Sequence, residues 1–267
     1  METVILSGHE KAVGFSLGCC DDLATRSYPM FENADAMAKE FSWSVENENG
    51  VLYGAYENGE LAGVLCAFRA PCSRYVQTTG VYVRDDSAAN ALISRFVSDF
   101  PGDRLAVGIP AENETVARVV EKFGFTLAED SFDFRLCKPQ KFPITAHLLQ
   151  KEEQDAYLAF HEKHFEELYW NARKLRWGID NWDIFTLGDE IRGSVFAKRE
   201  KNSVEIFGLY AETPDDAYSL LSSLVSRVYT KYPTLSEIVF MADDENAVSA
   251  CQKCGFDYHG HYNLWEK

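Results

Sequence analysis

Cys251, Cys254, His259 and His261 are of the types that hold zinc, and the Cys-x-x-Cys spacing of the first two also suits a thiol–disulfide pair. His161-Glu162-Lys163-His164 brings two imidazoles and a carboxylate together, but one residue short of the spacing that sets two zinc-binding histidines one helical turn apart. It reads instead as an exposed, charged helix face. Gly14-Phe15-Ser16-Leu17-Gly18 has the letters of a nucleophile elbow, yet it stands too near the N-terminus for several strands to precede it. Two carboxylate pairs, Asp85-Asp86 and Asp215-Asp216, each precede a helix-like run, where aspartate caps well. Tyr169, Trp170, Trp177 and Trp182 either line a substrate cleft or pack a core.

The elements that must position these groups repeat once along the chain. Gly50–Glu57 and Glu60–Phe68 are β-rich and meet at Asn58-Gly59, a pair that suits a two-residue turn; Trp182–Leu187 and Glu190–Lys198 meet in the same way at Gly188-Asp189. Asn58 and Gly188 lie 130 residues apart. A strand containing Gly80, Tyr75–Val83, matches Val204–Ala211 with Gly208, and helices follow at Ala88–Phe100 and Ala217–Tyr232. Short apolar strands come next, Leu105–Ile109 and Glu237–Met241, then an amphipathic helix and Gly-Phe. Gly124 and Gly255 are 131 residues apart, and each fits the left-handed position after a helix. The repeat bears on the cysteines: Cys251 and Cys254 recur as Val120 and Phe123, so packing explains them more simply than a metal or redox role. Gly255 also puts the pair at a helix C-terminus, whereas a reactive thiol profits from an N-terminus.

Lys138-Pro139-Gln140-Lys141-Phe142-Pro143 interrupts regular structure and divides the chain into domains 1–138 and 142–267. The 267 residues suit two domains. A formal charge of −16, from 42 acidic against 26 basic residues, argues against nucleic acid and anionic membrane surfaces as partners. No signal-like or membrane-spanning stretch is read, and the odd count of seven cysteines, Cys72 among them, suits reduced thiols, so the expected location is the cytosol. The oligomeric state is not written in the sequence.

The order of elements, with Asn113-Glu-Thr-Val-Ala-Arg-Val-Val-Glu-Lys-Phe-Gly-Phe125 and its counterpart Asp244-Glu-Asn-Ala-Val-Ser-Ala-Cys-Gln-Lys-Cys-Gly-Phe256, resembles the GNAT superfamily of acyl-CoA N-acetyltransferases over about four fifths of the chain. The resemblance implies an α/β fold of two tandem domains, each a twisted mixed sheet flanked by helices. It implies transfer of acetyl from acetyl-CoA, without a metal, to an amine of a small molecule or peptide. The acidic surface favours polyamines, aminoglycosides or Lys-rich peptides. By the same resemblance Glu205 is the general base, with Gln77 at the matching place. The usual tyrosine acid falls on Val120 and Cys251, of which only the thiol has a proton to give.

The family holds the pantetheine arm on a splayed strand and the pyrophosphate on a glycine-rich helix N-terminus. This points to Leu209, Tyr210, Ala211, Asp216, Ala217 and Asn246 in the second copy, and to Val81, Val83 and Asn113 in the first. Both loops depart from the family: Arg84–Ala89 and Glu212–Ala217 carry paired aspartates and no glycine. Either the aspartates cap their helices and the C-terminal copy is the working site, or the cofactor loops are lost and the protein is a non-catalytic module that binds a ligand or protein.

Overall fold

A computed structural model describes every residue except 23, 29, 30, 32, 71–73 and 201, so Cys72 lies outside the described residues. The chain divides into two compact units, Met1–Asp130 with His261–Lys267, and Ser131–Gly260. The first copy supplies β1 (Glu2–Ile5), α1 (Glu10–Cys19), α2 (Ala34–Glu46), β2 (Gly50–Glu57), β3 (Glu60–Arg69), β4 (Tyr75–Val83), α3 (Asp86–Asp99), β5 (Arg104–Pro110), α4 (Glu114–Lys122) and β6 (Thr126–Leu136). The second supplies β7 (His147–Leu148), α5 (Gln154–Phe165), α6 (Ala172–Arg176), β8 (Trp182–Leu187), β9 (Gly193–Arg199), β10 (Ser203–Tyr210), α7 (Pro214–Lys231), β11 (Glu237–Ala242), α8 (Glu245–Lys253) and β12 (Asp257–Glu266).

In the first unit the strands run β1-β2-β3-β4-β5-β12, and in the second β6-β11-β10-β9-β8-β7. β4 with β5 and β10 with β11 are parallel pairs, each joined by a helical crossover. The two last strands are exchanged. Phe132–Leu136 of β6 pairs antiparallel with β11, and Tyr262–Glu266 of β12 pairs antiparallel with β5. The division expected at 138 and 142 therefore differs from the compact units by these two strands. Alternation along a strand reports which faces are apolar, not which partner the strand finds.

Local chemistry accounts for the elements. Asn58 and Gly59 both adopt positive φ, which closes the first hairpin in two residues. The second hairpin departs from the expected closure at Gly188-Asp189: only Gly188 turns to positive φ, and the loop runs on until Arg192 N–H reaches the Leu187 carbonyl at 3.0 Å. Both Gly-Phe pairs build the same helix stop. Gly124 N–H bonds to Glu121 O at 2.9 Å and Phe125 N–H to Val120 O at 3.1 Å; Gly255 bonds to Gln252 at 3.1 Å and Phe256 to Cys251 at 3.0 Å.

Each sheet buries both faces. In the first unit α3 sets Ala88, Ala89, Leu92, Ile93 and Phe96 against Val81, Val83 and Val107, while α1 brings Ala12 and α2 brings Met37 and Phe41 against Leu52, Val64 and Tyr82 on the opposite face. The second unit repeats the plan. Leu220, Leu221, Leu224 and Val228 of α7 cover Val204 and Ile206, and Tyr157, Leu158 and Phe165 of α5 cover Trp182, Ile184 and Phe196. The segment before β7 is tied along α7 by serines: Ser226 Oγ accepts from Phe142 N–H at 2.6 Å, and Ser223 Oγ from the Thr145 and Ala146 amides at 3.0 Å.

Candidate functional site: two clefts at bulged strands

The same irregularity parts the parallel strands of both copies. On β4 the pairing with β3 passes from Thr78 opposite Ala67 to Gly80 opposite Cys66, so Thr79 is an extra residue. On β10 it passes from Ile206 opposite Ala197 to Gly208 opposite Phe196, so Phe207 is extra. A bulge bends and overtwists its strand, which then leaves its parallel neighbour. The last paired residues are Gln77 with Ala106 in the first copy and Ile206 with Phe240 in the second. Beyond them no pair joins the two parallel strands among the described residues; each such unpaired stretch forms a wedge, and the helices that follow its strands, α3 and α4 or α7 and α8, begin just past it.

Glu205 stands two residues before the second bulge. Its neighbours Val204 and Ile206 belong to the α7-side core, so alternation turns Glu205 to the α5 face. There it shares a row with Lys198 on β9, Trp182 on β8 and Val239 on β11. Three of the four aromatic residues come together beside it, Tyr169 meeting the Trp170 ring edge-on at 5.2 Å. Trp170 and Trp182 lie 5.2 Å apart between ring centres, both touch Phe207, and the Lys198 ammonium rests 4.9 Å from the Trp170 ring. Trp177 is 89% exposed, and Tyr169 is covered by Lys174 at 3.2 Å. In the first copy Gln77 accepts from Tyr75 Oη at 3.0 Å.

The two mouths are capped differently. In the first copy Asp85 takes the Ala88 amide at 3.0 Å and also the Ser87 amide, which together with Arg84 hold its carboxyl below the usual range. Asp86 pairs with Arg118 at 3.0 Å. In the second copy neither aspartate is the cap, against expectation: Thr213 Oγ1 accepts from the Asp216 amide at 3.2 Å. The Asp216 carboxylate, expected at the cofactor, is gripped by both terminal nitrogens of Arg192, which lowers its pKa, and Asp215 projects toward Lys253 at 3.5 Å. Threonine and aspartate are both favoured at the cap position, so the loop sequence alone does not settle which residue takes it.

Asn113 is buried and caps α4, accepting from Val116 N–H at 3.1 Å and donating to the Arg26 carbonyl at 2.9 Å. Its counterpart as a cap is Asp244, which accepts from the Asn246 and Ala247 amides. Asn246 reaches the end of β10, donating to Ala211 O at 3.1 Å. Val81 N–H, on the open edge of β4, donates to Ser27 Oγ at 2.6 Å. At the matching position in the second copy, Leu209, no side chain among the described residues accepts from the amide. Sequence reasoning missed Arg26, Ser27 and Tyr28; their contacts cross more than fifty residues, and no motif marks them.

Several candidates fall elsewhere. Cys251 is enclosed in the α7-side core, and burial drives its thiol upward, so it packs as Val120 does and does not present a proton to the cleft. Cys254 is buried beside it and pushed up to about 12. His259 is exposed and His261 is bonded to Asp130; among the described residues no cluster of three or more His, Cys, Asp or Glu side chains could hold a metal. The expected exposed face at His161–His164 is corrected. His161 is fully buried, accepting from Tyr157 Oη at 3.1 Å and donating to Trp170 O at 2.8 Å, with its pKa lowered by burial. His164 lies on the Tyr210 ring, 3.9 Å between centres. Gly14–Gly18 is the interior of α1, not a strand-to-helix turn. The six described cysteines are free, and no helix among the described residues is long and apolar enough to cross a membrane.

No family model and no curated protein matches the chain in sequence. Solved structures do match in fold. A GCN5-related N-acetyltransferase from Sphaerobacter thermophilus superposes with a TM-score of 0.67 at 14% identity, covering 100% of this chain and 95% of that one. A GNAT-family acetyltransferase from Colwellia psychrerythraea gives 0.52 at 10% identity over 100% and 98%. A GCN5-related N-acetyltransferase from Kribbella flavida gives 0.54 at 13% identity over 78% and 88%. With its repeated elements, two bulged strands and two wedges, the chain has the GNAT fold in tandem.

Proposed function

We propose that the protein is an N-acyltransferase that moves an acyl group, acetyl in the simplest case, from coenzyme A to an amine, and that it works in the C-terminal cleft. One observation carries this reading: the bulge at Phe207 sets an open strand edge at Leu209 and a carboxylate at Glu205 on the same strand, four residues apart. Coenzyme A would supply a thioester whose carbonyl an amine attacks, with the thiolate leaving. The strand edge at Leu209 and Tyr210 and the Asn246 amide would orient the pantetheine arm. Glu205 would hold the amine and take its proton, and Trp170, Trp182 and Phe207 would exclude water beside it. With Cys251 enclosed, α8 offers no donor to the thiolate, which at a free-thiol pKa of about 8.5 leaves without one.

The pyrophosphate grip is thin. Pro214 has no N–H, Thr213 takes the Asp216 amide with its side chain and the Ala217 amide with its carbonyl, and Asp215 keeps the remaining first-turn amide. Affinity would therefore come mainly from the pantetheine arm. An acceptor that carries positive charge is favoured: a cavity of about 650 Å³ at the β7–β8 edge is lined by Glu152, Asp189 and Glu190 over Leu149, Phe160 and Ile191, and Phe160 leans on Tyr210. The free thiols suit a cytosolic setting.

Calorimetric titration with acetyl-CoA and with S-acetyl-pantetheine tests the reading. Dissociation constants within about tenfold of each other are expected, corresponding to about 1.4 kcal/mol, followed by release of free thiol when a polyamine is added. Binding without turnover would favour a module that takes the donor as a ligand only. No binding of either donor at millimolar concentration would overturn the acyltransferase reading and favour the non-catalytic module that the four loop aspartates support.

A further inference from the structure

The α1–α2 connection of the first copy, residues 20–33, is fourteen residues long, whereas the α5–α6 connection of the second, Glu166–Asn171, has six. Part of the longer one enters the N-terminal wedge. Ser27 Oγ accepts from Val81 N–H at 2.6 Å on the open edge of β4. The Arg26 carbonyl accepts from Asn113 at 2.9 Å at the α4 cap, so two consecutive residues bridge the two sides of the opening. The next residue, Tyr28, sets its ring 4.8 Å from that of Tyr262, the residue that pairs with Pro110 at the end of β5. Ser27 is 1% exposed and Tyr28 6%. The shorter connection cannot do the same: His161 draws the Trp170 carbonyl toward α5, on the sheet face beside Trp182.

We propose that Arg26-Ser27-Tyr28 is the resident ligand of the N-terminal cleft. Its hydroxyl and carbonyl satisfy the donors that a pantetheine arm would otherwise meet, and its tyrosine fills the space beyond. A buried amide must find an acceptor, and an internal one is held at no cost in association entropy, so an external thioester competes poorly. Asn113 is the selective element. An asparagine both caps α4 and donates to Arg26, whereas the Asp244 of the other copy can only accept. The N-terminal copy is thus self-liganded by construction. The inference takes the wedge as a pantetheine cleft from the proposed function, but the contacts it concerns can be measured without any cofactor.

The experiment is amide hydrogen exchange at Val81 in the full chain, for wild type, Ser27→Ala and Asn113→Asp, with and without acetyl-CoA. Ser27→Ala is expected to lower Val81 protection about tenfold, and Asn113→Asp to lower it by a smaller factor while the α4 cap at Val116 stays protected. Saturating acetyl-CoA is expected to leave wild-type Val81 unchanged. Unchanged protection in Ser27→Ala, or protection of wild-type Val81 that rises with acetyl-CoA, would overturn the inference. If Ser27→Ala does not fold, Asn113→Asp and the wild-type response decide. Absence of any acetyl-CoA effect at Leu209 would sink the acyltransferase reading, and the Val81 comparison between variants would then decide by itself whether the segment fills the cleft.

Discussion

The two clefts of this chain are built from the same parts and differ in what meets them. Each has a glycine after a bulge, a strand that leaves its parallel neighbour, and a helix N-terminus at the mouth. In the first, Ser27 meets the strand edge and an aspartate takes two amides of α3; in the second, the strand edge at Leu209 has no side-chain acceptor among the described residues, and a neutral threonine caps α7. An anion arriving at α3 would face a carboxylate already seated on the amides it needs, while at α7 the nearest acid is neutralised by Arg192. The duplicated fold thus keeps its strand geometry in both copies while the side chains that meet the two openings differ.

The widest separation between the copies should come from the carboxylates on their central strands. Glu205→Gln is expected to lower turnover about a hundredfold or more, and Gln77→Glu to change it less than about twofold, in steady-state assays of thiol release. Equal losses from the two substitutions would erase the assignment of the working copy.

Stability gives the next largest effect. Ser194, Tyr157 and His161 form a buried chain ending on the Trp170 carbonyl, with Ser194 Oγ donating to Tyr157 Oη at 3.3 Å. His161→Leu strands a buried hydroxyl and a carbonyl, and is expected to cost about 2–4 kcal/mol in denaturant unfolding. It should also free the Trp170 segment, seen as quicker exchange at Asn171. A loss below about 0.5 kcal/mol would mean that this network does not hold the segment.

A smaller effect separates the caps by pH. The folded pKa of Asp85 is depressed, so its contribution is present above the unfolded value near 4 and fades as pH falls through the folded one. The Thr213 hydroxyl does not titrate there. Protection of the Ala88 amide is therefore expected to fall on acidification more than that of the Asp216 amide, and Asp85→Asn should flatten the difference. Identical acid profiles would show that the caps are equivalent. The smallest effect is expected from Cys251→Val, which installs the first copy's side-chain type: activity within about twofold and stability within about 1.5 kcal/mol. A large loss of turnover at unchanged stability would return the thiol to the reaction.

Much of the fold was legible because it rests on local rules. Asn58-Gly59, Gly124-Phe125 and Gly255-Phe256 have the conformations their residue types demand, and the constant offset between copies aligned Glu205 with Gln77 and Cys251 with Val120. The exchange of β6 and β12 was not legible, since the pairing of Ala242 with Phe132 joins positions more than a hundred residues apart and leaves alternation unchanged. The site was legible in part. The strand that carries Glu205 and Leu209 was readable from its β-rich residues and Gly208, but Arg192 reaching Asp216, Ser27 reaching Val81 and His161 turning inward are tertiary events for which serine, arginine and histidine carry no sequence signal.

On the proposed function, one cleft accepts an acyl thioester and the other is filled by the chain itself. Titrating the intact protein with acetyl-CoA while following backbone amide resonances tests it most directly. The expected result is one equivalent bound, with shifts centred on Leu209, Tyr210 and Asn246 and none at Val81. Two equivalents, or shifts at Val81 and Asn113 in place of the C-terminal strand, would contradict it.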